Sequence, residues 1–232
     1  MSGGRAVLVL HDAGDAGAGA PWAAALATAG WPGEVCAPDL PGHGTAPAPD
    51  DGAYELVDAG FAVLPALHRL GAVRPVVVGV GANGWAAQVL ALAGRASALV
   101  LVDGLGGPWR TPAASIADER ARLRAVFDDP GAVAPAPEGI LDPRLRHGVN
   151  RQTGLGLARR AAAALAVPVL VLESPGSHVG PERADLVRCI AVVATADVPS
   201  AEAPAVAPAV VAWASTLAAD AAAAADAEVD RT

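Results

Sequence analysis

The sequence predicts an α/β protein: a doubly wound, mainly parallel sheet of about six strands carrying a helical lid. Two observations predict it. Short, continuously apolar runs at Ala6–Leu10, Val76–Val80, Ala98–Val102 and Val167–Leu172 read as strands buried on both faces. Ala-rich helical stretches separate them with no hairpin signal, which calls for right-handed crossovers and not for antiparallel pairs.

Ala6–Leu10 opens the sheet and ends at the small-residue loop His11-Asp12-Ala13-Gly14. A helix follows around Trp22–Leu26, stopped by Gly30 and Pro32. Glu34–Ala37 is the next strand, followed by Pro38-Asp39-Leu40-Pro41-Gly42-His43-Gly44 and a polar loop. A helix is expected over Tyr54–Leu70, then the strand Val76–Val80, the helix Gly84–Ala93 and the strand Ala98–Asp103. Residues 104–155 are rich in Arg, Asp, Pro and Gly, with one helical stretch at Ser115–Phe127. They are too long for an ordinary connection and read as a lid over the sheet's carboxyl edge. Alternation resumes with a helix at Leu157–Leu165, a strand at Pro168–Leu172, a short helix through Leu186, a strand near Ile190–Val193 and a helix at Pro204–Ala218. The core is thus 1–103 with 156–218, the insert 104–155, and an Ala-rich, acidic tail 219–232 of no assigned role.

With 53% hydrophobic residues over 232, the chain can bury one sizeable core. A net charge of −8 disfavours a phosphate-tracking surface, so nucleic acid is an unexpected partner. The apolar runs are shorter than a membrane span and the first residues lack secretory-signal character, so a cytoplasmic protein is expected. Cys36 and Cys189 have neither metal nor redox spacing, and no metal site is expected.

The stretch Val76–Ala87 carries the chemistry. As Gly79-x-Gly81-x-x-Gly84 after a strand, with Asp103 about 20 residues on, it fits a dinucleotide fingerprint for NAD(P) or flavin. As strand–Gly-x-apex-x-x-Gly–helix it fits a nucleophile elbow with Gly81 at the apex.

The order of motifs resembles the α/β-hydrolase superfamily across most of the chain outside the lid. His11-Asp12 stands where the family has His-Gly and builds its oxyanion hole; Pro38–Gly44 resembles the loop after the next strand. The resemblance implies that the chain starts at the family's third strand, so an edge hairpin is not expected. The resemblance also exposes departures. Gly81 stands at the nucleophile position, Asn83 where a small residue is preferred, Ser177 at the acid position, and Asp197, before Glu202-Ala203-Pro204, at the histidine position. Removing one triad member costs on the order of 10⁴-fold in rate, so ordinary ester hydrolysis is not expected.

Other residues carry two readings each. His11 and Asp12 either shape a loop, or Asp12 alters the oxyanion pocket towards a cation or hydrogen-bond donor. His43 and Asp39 read as ties within their loop. His178 with Asp197, beside Ser174 and Ser177, is either solvated or a displaced acid–base pair; His11 is a further acid–base candidate. Trp22 reads as core, while Trp85 and Trp109 are candidates for a pocket wall. The pocket is expected between His11–Gly14, Gly79–Trp85 (with Ala82 and Asn83), Asp103–Arg110, Ser174–His178 and Asp197. The main expectation is a hydrolase-like protein without the triad that binds a small apolar molecule under its lid, with no cofactor, as monomer or homodimer. A cofactor-independent lyase, isomerase or cyclase and an NAD(P)- or flavin-binding protein are the alternatives.

Overall fold

In a computed structural model, the described residues are 6–12, 19–50, 54–55, 58–71, 74–106, 120–121, 124, 128, 142, 154–175, 177 and 183–229. Most of the proposed lid, and most of its helix at Ser115–Phe127, therefore lies outside the described residues, as do Ala13, Trp109, Arg110 and His178.

Six strands form the sheet: β1 (Val7–Leu10), β2 (Val35–Cys36), β3 (Val76–Val80), β4 (Ala98–Val102), β5 (Val169–Glu173) and β6 (Val193–Asp197). Every pairing is parallel and the order is β2-β1-β3-β4-β5-β6. The chain thus winds outward in one direction from β1 and in the other from β3, and all strands end at one edge. Between β1 and β3 the winding reverses, which in open α/β sheets opens a crevice at that edge.

The apolar strands divide their side chains between two layers, as their period of two requires. Leu8, Leu10, Val77, Leu99, Leu101, Val169 and Val171 pack on one face beneath α2 (Asp58–Ala62), α3 (Leu64–Arg69), α4 (Gly84–Leu92), α5 (Leu155–Ala163) and α6 (Arg183–Cys189). Val7, Val9, Val78, Val100, Leu170 and Leu172 pack on the other, beneath α1 (Gly19–Thr28) and α7 (Ala203–Val229). Trp22 is core, as its sequence setting suggests, with 2% of its surface exposed.

Three boundaries differ from expectation. The helix foreseen over Tyr54–Leu70 is two short ones, α2 and α3, separated at Val63 where Pro65 begins a new helix. The last strand is Val193–Asp197, shifted towards the C-terminus of the expected Ile190–Val193, and sits at the sheet edge half-exposed. The final helix runs on to Val229 and takes in most of the tail. Its segment Ala203–Ala223 is, by length and composition alone, apolar enough to cross a membrane, which the strand-by-strand reading of short apolar runs missed. Its first turns are nevertheless committed to the core through Val206, Ala207 and Val210.

Candidate functional site at the carboxyl edge

The glycines of the elbow have separate structural causes. Gly81 adopts φ +52°, a left-handed conformation that costs other residues energy. A Cβ on Gly79 would press on the Ala87 Cβ at 2.5 Å, and one on Gly84 would meet the Gly104 backbone. Those two glycines let α4 lie against β3 and the loop after β4, so close packing accounts for the fingerprint spacing.

At the reversal point the apex of the glycine turn is covered by a side chain of the preceding loop. The Asp12 carboxylate, from the end of β1, lies over Gly81 where a Cβ would collide with it. Its Oδ1 accepts a hydrogen bond from the Ala82 N–H at 3.0 Å. Asn83 Nδ2 donates to the His11 carbonyl at 2.6 Å and ties the elbow to the same loop. Asp12 thus joins the loop after β1 to the first turn of the elbow.

His11, the further acid–base candidate, lies in the loop after β1. It is fully buried, and its Nε2 accepts from the Leu40 N–H at 3.1 Å. That fixes the hydrogen on Nδ1, which points at the Asp12 carbonyl 3.0 Å away. Its ring stands edge-on to His43 at 4.6 Å. Both histidines are loop ties: His43 Nδ1 faces the Pro41 and Leu40 carbonyls, while Asp39 accepts from the Thr45 N–H and hydroxyl. In the same loop cluster Tyr54 donates to the buried Asp142 at 2.5 Å, and the Asp142 N–H donates to the Gly42 carbonyl. Trp85, a candidate pocket wall, is buried in one cluster with Ala161 of α5.

Two strands further along, the carboxyl edge changes character. Asp103, at φ +50°, ends β4 and accepts from both the N–H and the hydroxyl of Ser174. Its carboxylate is therefore engaged by the β5 loop. Together with the Asp12 carboxylate on the glycine turn, where a pyrophosphate would need positive surroundings, this removes the two supports of the dinucleotide reading. Beyond it, a cavity of about 470 Å³ is lined by Glu173, Ser174, Pro175, Ser177, Arg183, Asp197 and Val198.

Glu173, paired in register with Asp197, is 6% exposed. Burial pushes its carboxyl pKa up; a hydrogen bond from Ser177 and the nearby Arg183 oppose that, while Asp103 and Asp197 add to it. Among the described residues no hydrogen-bond donor reaches its Oε1, although Arg183 Nε lies 4.0 Å away. Arg183 Nη1 reaches the largely exposed Asp197 at 3.4 Å. The structure thus brings Ser174, Ser177 and Asp197 to one cavity. It adds Glu173 and Arg183, which the sequence did not single out, because a glutamate closing an apolar strand reads as its polar end.

No family model matches the chain, and no curated protein matches it by sequence. Solved structures do. A thermophilic esterase from Thermogutta terrifontis superposes with a TM-score of 0.68 at 19% identity, covering 92% of this chain and 90% of that one. The thioesterase domain of the curacin biosynthetic pathway gives 0.68 at 15% identity over 90% of each chain. The enol-lactonase from Burkholderia xenovorans gives 0.63 at 16% identity, covering 92% and 90%. With a parallel six-stranded sheet between two helical layers and these likenesses in three dimensions, the chain has the α/β-hydrolase fold.

Proposed function

We propose that this protein binds a small molecule at the carboxyl edge of its sheet and does not transfer acyl groups to a nucleophile at the elbow. One observation carries the reading: the Asp12 carboxylate rests on the Ala82 N–H above an apex that has no side chain. Acyl transfer needs that turn to supply an attacking atom and to stabilise a developing oxyanion. An oxyanion about 4 Å from a carboxylate would meet repulsion on the order of 4 kcal/mol at an effective dielectric of about 20. That alone corresponds to roughly a thousandfold in rate, before the missing nucleophile is counted. The positions matched to acid and base, Ser177 and Asp197, support the same reading, since neither residue type is the one the family uses there.

The named hydrolases among the fold neighbours carry over the scaffold, and function resides in the site. A fluorophosphonate probe is expected to leave the native protein unlabelled. Stoichiometric labelling, mapped by peptide mass spectrometry to any serine at this edge, would overturn the reading. A second reading, a cofactor-independent enzyme that moves protons, is favoured by Glu173 alone: a buried carboxyl with a raised pKa beside a cavity suits general acid–base work.

A further inference from the structure

The cavity beyond β5 and β6 has a charge pattern and an unmet hydrogen-bonding capacity that together define a ligand. Three carboxylates, Asp103, Glu173 and Asp197, act on this corner against a single guanidinium, Arg183. Asp103 is spent on Ser174. Arg183 spans the other two at 3.4 and 4.0 Å, longer than the roughly 2.7–2.9 Å of a strong charge-assisted bond, so both keep acceptor capacity. Glu173 is more than nine-tenths buried, lines the cavity, and has an Oε1 that no donor among the described residues satisfies. Leaving such an atom unpaired is costly, and a ligand donor seated there would remove the cost.

We propose that this cavity is a binding site for a small primary ammonium ligand, held by Glu173 Oε1 with the Asp197 carboxylate as second acceptor. The inference rests on the reading of the sheet edge as a ligand site and adds the ligand's chemical class. An ammonium group offers three rotatable donors and one positive charge, which two carboxylates on adjacent strands can share. A carboxylate or phosphate would face three like charges before reaching an arginine already spanned by two of them. The Pro175 and Val198 side chains supply apolar wall for the ligand's carbon frame.

The matched set benzylamine, benzyl alcohol and benzoate tests this, because only the polar group changes. Affinities are to be measured by ligand-observed NMR on the full chain at pH 8 and low ionic strength. Benzylamine is expected to bind and to weaken as salt rises, with benzyl alcohol at least tenfold weaker and benzoate not binding. Glu173→Gln should weaken benzylamine at least tenfold and Asp197→Asn several-fold. Asp197 is largely exposed on an edge strand, so its variant tests the site even if the buried substitution fails to fold. No binding of benzylamine, equal binding of benzoate or benzyl alcohol, or benzylamine affinity unchanged in the folded variants would overturn the inference. Fluorophosphonate labelling with amine binding intact would strike the proposed function alone, so the two fail separately.

Discussion

The carboxyl edge of this sheet has two corners that differ in how completely their polar groups are met. At the first, between β1 and β3, the Asp12 carboxylate takes the Ala82 N–H, Asn83 takes the His11 carbonyl, and His11 takes the Leu40 N–H. At the second, two strands or about 10 Å away, Glu173 is buried beside open volume with one oxygen that no donor among the described residues meets. At the first corner, where the winding reverses, the Asp12 carboxylate lies over the glycine apex. The difference teaches that the place where a fold customarily binds and the place where a given chain has room to bind are separate questions.

The largest effect is expected from forcing a side chain into the first corner. Gly81→Ala should destabilise by about 2–3 kcal/mol in urea unfolding, from the left-handed conformation and the collision with Asp12. Adding Asp12→Gly should return about 1 kcal/mol or more, a coupling that a double-mutant cycle reads directly. Strict additivity would mean that the carboxylate does not occupy the apex. Asn83→Ala should cost about 1–2 kcal/mol by removing the buried tie between the elbow and the His11 carbonyl.

The smallest effect concerns the open corner and is a dependence on pH. The Glu173 pKa is raised in the folded state, so its contribution to stability is fully present below the unfolded carboxyl pKa and is lost as pH rises through the folded value. Glu173→Gln removes that loss. The variant should melt higher than the parent at pH 8, with the gain shrinking to nothing as pH falls below about 4. A gain that stays constant across this range would show that Glu173 titrates no differently in the folded and unfolded chains.

Much of this was legible in the sequence. The strands at Val76–Val80 and Ala98–Val102 are β-branched or leucine-rich throughout, and burial on both faces leaves such runs little else to be. The glycine corner was visible too, in the spacing of Gly79, Gly81 and Gly84. Strand β6 was misplaced because Val193-Ala194-Thr195-Ala196-Asp197 at an exposed edge carries a weak apolar signal. Glu173 was not singled out, for one physical reason. Whether a polar side chain at a strand end is satisfied depends on partners up to 71 positions away, such as the Asp103 that holds Ser174.

The pairing of Asp12 with a bare apex also constrains how this corner could be re-engineered. A serine installed at 81 meets a carboxylate already in its space, and a shortened residue 12 frees a donor that has no hydroxyl to serve. Neither step is useful alone, so the route to an attacking group here crosses a valley that two changes must clear together.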